Sequence, residues 1–364
     1  MNGVDRMQAK KWVYVTLGIY MGILALIGAL TVIIDPLFLY HAPLNGFSYS
    51  SDSSVYRVGG IVKNLDYDTV IAGSSMTLNF NTREADELFS AHSVRVTLLG
   101  EGYKRVNDIL KMAFDSNPDI KRVIWGIDST GFISGPEWIG EQPYPEYLYD
   151  KNPLNDVEYI FNIEMFSQWT LPTIVRTIKR TENGINELFS DGFSTKGETG
   201  TEEVLAAYDR PEKEKKEISD KETREMFAMC EQNLSQNVLQ TVQDHPDVDF
   251  YLFIPPYSIC WWDSLNQNGT DVLKRRIDLQ QFAIEKMLAY ENVKLFAFFN
   301  DYDLIGNLDY YVDATHYTEE VNSMMLRWMK EGKYQLTQDN YREYIDDITE
   351  YYCNFDYDAM FIKN

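Results

Sequence analysis

Residues 68–76 read DTVIAGSSM, a short apolar run that ends in Gly73, Ser74 and Ser75. The run is typical of a buried strand, and the glycine lets the chain turn sharply after it. Open α/β sheets bind ligands beyond the carboxyl ends of their strands, and this turn predicts a serine hydroxyl there. Ser75 is therefore a candidate nucleophile. The alternative is that both serines only cap the helix that follows.

Downstream of this stretch, short apolar runs alternate with amphipathic helical patterns. Such alternation predicts a parallel sheet in an α/β fold. Strands are predicted at residues 69–72, 94–99, 123–127, 250–254 and 293–298. Helices are predicted near residues 106–116, 224–243, 271–289 and 318–330.

A second polar motif lies towards the other end of the chain, where residues 311–318 read YVDATHYT. Asp313 and His316 precede the last predicted helix of the sheet pattern. The imidazole can therefore approach a nucleophile at the same sheet edge while the carboxylate holds its tautomer. Ser75, His316 and Asp313 are together candidate catalytic residues. The alternative is a turn-capping aspartate beside an ordinary surface histidine.

Composition narrows the class of protein. The 364 residues carry 56 acidic and 33 basic side chains, for a net charge of −23. This balance argues against a nucleic-acid partner, whose phosphates require Lys and Arg. The three cysteines, Cys230, Cys260 and Cys353, are scattered and predict neither a disulfide framework nor a zinc site. We predict no metal and no cofactor.

An uncharged apolar stretch at residues 12–34 is long enough to cross a bilayer once as a helix. Arg6, Lys10 and Lys11 precede it, so the positive-inside rule predicts a cytoplasmic segment at residues 1–11 and an extracytoplasmic remainder. We expect a single-pass cell-membrane protein with a retained anchor. A cleaved signal peptide is the alternative.

Beyond the anchor, the patterns divide the chain into four parts. Residues 35–65 predict an irregular lead-in, and residues 66–333 the α/β domain. That domain carries an insertion at residues 134–222, whose aromatic first part predicts a helical lid or cap and whose polar second part predicts a surface loop. Residues 334–364 form an acidic, aromatic C-terminal tail, and the sequence leaves open whether it packs on the domain.

In their order and context, the Gly-Ser-Ser and Asp-x-x-His motifs resemble those of the SGNH (GDSL-like) serine hydrolase family. The resemblance covers about residues 66–329 and implies a three-layer, flavodoxin-like α/β fold. It assigns Ser75 as the nucleophile, His316 as the general base and Asp313 as the carboxylate that orients the base. Ser74 stands where most members have aspartate.

The same resemblance suggests which groups stabilise an oxyanion. The family has a glycine after its second strand, for which Gly102 is our first candidate and Gly100 the alternative. The amide of Met76, next to the nucleophile, is another candidate donor. Most members have an asparagine after the third strand, where this chain has Asp128. A carboxylate there repels an oxyanion unless it is protonated or turned away.

A narrower resemblance is to outer-face proteins that work beside membrane-bound O-acyltransferases. These include the serine enzyme of teichoic-acid D-alanylation and the acetylation proteins of alginate-type polysaccharides. It rests on the single span followed by DPLFLYH, on Gly-Ser-Ser, and on FIPPYS at residues 253–258. It implies an acyltransferase that acts on a cell-surface glycopolymer beside a membrane-bound O-acyltransferase partner. An esterase and a non-catalytic polymer-binding subunit are the alternatives.

Overall fold

The computed structural model describes residues 3–50, 55–140, 144–150, 152–182, 184, 200–214 and 216–361. These residues form two compact units. The N-terminal unit consists of described residues up to 65 together with those between 144 and 184, and the α/β unit consists of the rest.

The α/β unit is built on a mostly parallel sheet, as the alternating pattern predicts, with six strands where the sequence predicts five. Its strands are β1 (Thr69–Gly73), β2 (Ser93–Thr97), β3 (Arg122–Gly126), β4 (Asp249–Ile254), β5 (Val293–Ala297) and β6 (Gln335–Leu336). Their order is β2-β1-β3-β4-β5-β6, and every pair is parallel except β5 with β6. The strand order reverses at β1, which has β2 on one side and β3 on the other. Such a reversal creates a crevice beyond the carboxyl ends of the strands.

The helices of the α/β unit include all four segments that the sequence predicts to be helical. They are α3 (Thr82–Phe89), α4 (Tyr103–Ser116), α8 (Thr201–Ala207), α9 (Asp220–Leu234), α10 (Gln240–Asp244), α11 (Ile259–Gln267), α12 (Thr270–Met287), α13 (Tyr302–Gly306), α14 (Glu319–Glu331) and α15 (Tyr341–Asn354). A π-helical turn at Ser235–Leu239 joins α9 to α10. Helices α3 and α14 pack against each other, and α9 and α12 form a second packed pair.

The C-terminal tail, whose packing the sequence left open, is part of the α/β unit. Strand β6 pairs antiparallel with β5, and α15 packs against α12. Tyr352 of α15 is fully buried and stacks on Trp262, with ring centroids 3.8 Å apart. The aromatic residues of the tail therefore contribute to the core.

The N-terminal unit begins with α1 (Gly3–Ile34), whose segment Lys10–Ile34 has 25 residues and a mean hydropathy of 2.5. This helix is long and apolar enough to span a membrane. The other helices of the unit are α2 (Val55–Asn64), α5 (Val157–Ile160), α6 (Ile163–Met165) and α7 (Leu171–Ile178). A π-helical turn at Phe166–Thr170 joins α6 to α7.

Asp35 organises the chain where α1 ends. Its buried carboxylate accepts hydrogen bonds from the amides of Leu39, Tyr40 and His41 at 2.7–3.0 Å and from the Tyr159 hydroxyl at 2.9 Å. Burial raises the pKa of Asp35 and outweighs the effect of these hydrogen bonds, which lower it. The lead-in is therefore ordered around a buried carboxyl group.

The predicted insertion is divided between the two units. Described residues between 144 and 184 pack with the N-terminal unit, whereas residues 134–140, 200–214 and 216–222 belong to the α/β unit. Tyr159 and Trp169 lie in the core of the N-terminal unit with Leu37, and Tyr147 packs against them. These aromatic residues therefore form a core where the sequence suggested a lid. The middle of the predicted polar loop, residues 191–199, lies outside the described residues.

Candidate active site

The turn after β1 depends on Gly73. Its φ is +154°, and a Cβ atom there would lie 2.6 Å from Cγ2 of Thr77. The Thr77 hydroxyl bonds to the carbonyl of Ser74 at 2.9 Å and to the hydroxyl of Thr97 on β2 at 3.0 Å. A short 3-10 helix, Ser75–Thr77, follows, with Ser74 as its N-cap. The chain therefore turns tightly enough to leave the Ser75 side chain at the carboxyl end of β1.

The structure brings the three predicted catalytic residues into one hydrogen-bonded chain. Ser75 Oγ lies 2.8 Å from His316 Nε2, across 241 residues of sequence. His316 Nδ1 lies 2.7 Å from Asp313 Oδ2, and Asp313 Oδ1 accepts from the His316 amide at 2.7 Å. The predicted juxtaposition is confirmed. A serine nucleophile, a general base and a carboxylate that orients the base would need contacts of this kind.

The loop that carries Asp313 and His316 is fixed to the serine turn. The Tyr317 hydroxyl and the Asn322 side-chain amide donate to the carbonyl of Met76 at 2.8 and 3.2 Å. On its other side, Ser258 Oγ donates to the carbonyl of Ala314 at 2.7 Å. These bonds oppose any drift of the imidazole away from Ser75.

Asp313 and His316 shift each other's titration. Burial acts to raise the pKa of Asp313, but hydrogen bonds from the His316 ring and amide outweigh it, so the pKa is lowered. The hydrogen bond to Asp313 raises the pKa of His316 against the effect of burial, and the charge of Asp128 adds to the rise. His316 therefore binds a proton more tightly than an ordinary histidine.

Asp128 lies just beyond the carboxyl end of β3, where the family that the two motifs resemble has asparagine. Its Oδ1 accepts from the Tyr257 hydroxyl at 2.9 Å, and the Ser74 side chain also bonds to it. Burial raises the pKa of Asp128, while these bonds and the charge of His316 act in the opposite direction. The carboxylate is thus held by two hydroxyl groups. Ser74 and Asp128, the two departures from the family pattern, contact each other.

Two predicted oxyanion donors are engaged elsewhere. The Gly102 amide donates to the carbonyl of Ile139 at 3.4 Å, and the Met76 amide donates to Ser74 Oγ at 3.3 Å. By contrast, the amides of Ser75 and Gly100 donate to no protein acceptor within the described ranges. Gly102 and Met76 are therefore poorer candidates than the sequence suggested, and Gly100, the alternative, is the better glycine.

Sequence reasoning did not identify Tyr257, Tyr317 or Asn322 as residues of the site. Tyr257 lies within FIPPYS, a segment noted only for its family resemblance, although its position directly after β4 predicts the same sheet edge. Trp261 and Trp262, in the helix that follows this segment, are both buried. Among the described residues, no three His, Cys, Asp or Glu side chains cluster as metal ligands would.

The chain matches no protein-family model, no curated protein and no solved structure. What it shows directly is an α/β unit with a six-stranded, mostly parallel sheet, and one N-terminal apolar helix. The function must therefore be argued from the geometry of the site.

The raised pKa of His316 predicts the pH dependence of Ser75 reactivity. Only neutral His316 can accept the serine proton, so labelling of Ser75 by a fluorophosphonate should rise with pH through a midpoint above about 6.5, the ordinary histidine value. Asp313→Asn removes the main cause of the rise and should slow labelling and move the midpoint down. Asp346→Asn, an exposed carboxylate, should change neither. A pH-independent labelling rate would contradict this assignment.

Asp128→Asn tests whether the Asp128 carboxylate contributes to ester turnover. Turnover of p-nitrophenyl acetate should be kept or raised, and the gain should grow with pH because the native carboxyl group ionises and repels the oxyanion. The variant should also lower the pKa of His316, since Asp128 contributes to its rise. Asp119→Asn, at an exposed position, is the control. A loss beyond about 100-fold, comparable to losing a main oxyanion donor, would give Asp128 a catalytic role.

Proposed function

We propose that this chain is a membrane-anchored, extracytoplasmic SGNH-type serine O-acyltransferase that modifies a cell-surface glycopolymer. The observation that carries the proposal is the chain of hydrogen bonds from Ser75 through His316 to Asp313. It lies at the carboxyl end of β1, beside the reversal of strand order where α/β proteins bind ligands.

The topology supports the family assignment. The order of the five parallel strands, β2-β1-β3-β4-β5, is that of flavodoxin-like sheets. The nucleophile follows β1, and the acid and base precede α14, as in the SGNH pattern. The pairing of Ser74 with Asp128 explains how the chain departs from that pattern at two positions at once: a hydroxyl and a carboxylate face each other in place of the usual carboxylate and amide.

The first half-reaction transfers an acyl group from an activated ester or thioester to Ser75. His316 Nε2 takes the proton of Ser75 Oγ as that oxygen bonds to the acyl carbonyl carbon. Asp313 stabilises the imidazolium that forms. The tetrahedral intermediate then expels the donor's alcohol or thiol, which receives the proton from His316. The products are acyl-Ser75 and neutral His316.

The second half-reaction transfers the acyl group to a hydroxyl of the polymer. His316 accepts the proton of that hydroxyl while its oxygen attacks the acyl-serine carbonyl, and the proton then passes to Ser75 Oγ as the ester bond breaks. The imidazole is 44% exposed, so an acceptor within a long polymer can reach it. The site has the openness that a macromolecular acceptor requires.

The negatively charged oxygen of the tetrahedral intermediate must be stabilised by hydrogen-bond donors. We assign this role to the backbone amides of Ser75 and Gly100, which have no acceptor of their own in the described part of the chain. Both follow carboxyl ends of neighbouring strands, since Gly73 of β1 is paired with Thr97 of β2. Each preorganised donor contributes about 10²–10³ in rate.

The location of the reaction follows from α1 and its flanking charges. Lys10 and Lys11 at the start of the apolar segment favour a cytoplasmic N-terminus and an outer catalytic unit. A free acyl donor is scarce outside the cytoplasm, so a membrane-bound O-acyltransferase that passes acyl groups across the bilayer is the partner we propose.

An esterase is the second candidate. Ser75 and His316 are both partly exposed to water. Water can therefore compete with an acceptor hydroxyl for the acyl-enzyme.

The test is to supply the full-length protein in nanodiscs with p-nitrophenyl acetate, with and without a polyol or glycopolymer acceptor. Release of p-nitrophenol should rise with the acceptor, and the acetyl ester should appear on the acceptor. Ser75→Ala, His316→Ala and the double variant should each lose at least about 10³-fold, because the residues act as one unit. Ser116→Ala and His92→Ala, both at exposed positions, are the matched controls and should keep full activity.

The other outcomes are distinct. Free acetate as the sole product, with the same dependence on Ser75, would support the esterase. Turnover that survives Ser75→Ala would remove the serine mechanism. A protein that folds normally but never reacts with activated esters would leave a non-catalytic, polymer-binding subunit as the better description.

A further inference from the structure

Helix α7 of the N-terminal unit presents its apolar face to the outside. Leu171, Ile174, Val175 and Ile178 have the i, i+3, i+4, i+7 spacing of a single stripe. Leu171, Val175 and Ile178 are 43%, 39% and 75% exposed. In a helix on a water-soluble domain, such a stripe faces the core.

The inward face of this helix is polar instead. Thr173 is buried and donates to the carbonyl of Trp169, and Thr177 accepts from the Ser48 amide at 3.0 Å. Thr170, in the preceding turn, is buried and bonds to Thr31 of α1 at 3.2 Å. The helix is thus inverted relative to a soluble one, with satisfied threonines inside and aliphatic side chains outside.

The exposed apolar surface continues along the segment that leads to α7. Large apolar side chains are exposed from just before α5 to the start of α6, which is unusual for a surface in contact with water. They are Leu154 (81%), Val157 (53%), Phe161 (48%) and Ile163 (66%). We call residues 154–180 the collar.

The collar lies at the depth of the apolar helix. A Cβ atom at Gly28 would be 2.7 Å from the Phe161 ring and 3.0 Å from Ile160, so α1 and α5 touch there. At 1.5 Å per residue, Gly28 is about 9 Å below Ile34, where α1 ends. Interfacial helices bury their apolar faces about 5–10 Å into the boundary of headgroups and acyl chains, which is the same range.

Charge at the end of the collar fits a lipid surface. Lys179 and Arg180 follow the apolar stripe directly and are exposed, in a chain whose net charge is −23. Basic residues beside an apolar helical face are typical of helices that lie in the bilayer interface. They attract anionic headgroups at this end of the collar only, since Glu158 and Glu164 at its other end are exposed carboxylates.

We propose that the collar inserts into the outer leaflet of the membrane that α1 spans, giving the N-terminal unit a second lipid attachment. The proposal rests on the membrane anchoring that forms part of the proposed function. Acyl chains are the occupant because the exposed Phe161 ring lies against α1 at Gly28, within its apolar segment.

Depth-dependent fluorescence quenching tests this in the full-length chain. Single cysteines labelled with the fluorophore NBD are introduced in a Cys353→Ser background, since Cys230 and Cys260 are buried and Cys353 is the most accessible native thiol. Ile178→Cys reports on the collar, Ile23→Cys on the centre of α1, and Lys221→Cys, an exposed position on α9, is the control. Each is reconstituted into phosphatidylcholine–phosphatidylglycerol vesicles that contain nitroxide lipids, and iodide is the aqueous quencher.

If the collar inserts into the leaflet, shallow nitroxide lipids should remove more than half of the emission of the label at position 178, and iodide should remove little. Lys221 should show the reverse. Quenching of Ile23 by deep nitroxides without quenching of Ile178 by shallow ones would overturn the collar while keeping the anchor. Loss of quenching at Ile23 as well would instead contradict the anchor. An Ile178 label shielded from both quenchers would mean that a second copy of the chain covers the stripe, which also overturns the lipid assignment.

Discussion

The hydrogen bond between Ser75 and His316 joins two segments that are 241 residues apart, and the chemistry argued for this protein depends on it. It forms because β1 lies inside the sheet, so that the serine turn is flanked by the ends of β2 and β3. The loop after β5 then returns to the same edge. Tyr317 and Asn322 hold that loop to the carbonyl of Met76, and Ser258 holds it from the β4 side. The imidazole is positioned by bonds that do not themselves take part in proton transfer.

The electrostatics of the site follow from the same arrangement. His316 lies between two carboxyl groups of different character. Asp313, held by amides and by the imidazole, has a lowered pKa and stays ionised, whereas burial raises the pKa of Asp128. One carboxylate therefore supports the imidazolium, and the other is restrained by the hydroxyls of Ser74 and Tyr257. Two carboxyl groups with opposite shifts beside one base are typical of sites adapted to catalysis.

The sequence predicted the sheet well and the tertiary groupings poorly. The five parallel strands were found because each is an apolar run of five or six residues bounded by turns. Strand β6 has only two residues, too few for a periodic signal. The sequence analysis assigned the whole insertion to the α/β domain. Its contacts with the lead-in, such as that of Tyr159 with Asp35, join residues far apart in the chain and cannot be read from the local hydrophobic pattern. The tail was left undecided for the same reason, since the stacking of Tyr352 on Trp262 is a long-range contact.

Within the site, residues that carry the proposed chemistry were predictable because their spacing and order are distinctive. The amide donors were not. Whether Gly102 or Gly100 has a free N–H depends on the carbonyl of Ile139, which approaches only in the folded chain. The hydroxyl partners of Asp128 come from the ends of β1 and β4, and only the topology reveals that these two strands flank β3, which Asp128 follows.

Acetylation of Ser75 Oγ is the direct test of the proposed serine mechanism. The full-length protein is mixed with p-nitrophenyl acetate, quenched in acid within the first turnovers, digested and analysed by peptide mass spectrometry. If Ser75 is the nucleophile, we expect one acetyl group on the peptide that contains it, localised to that residue. The acetyl group should be lost when an acceptor hydroxyl is added before the quench. Ester turnover without an acetyl group on Ser75, or acetylation at another residue that supports the turnover, would contradict it.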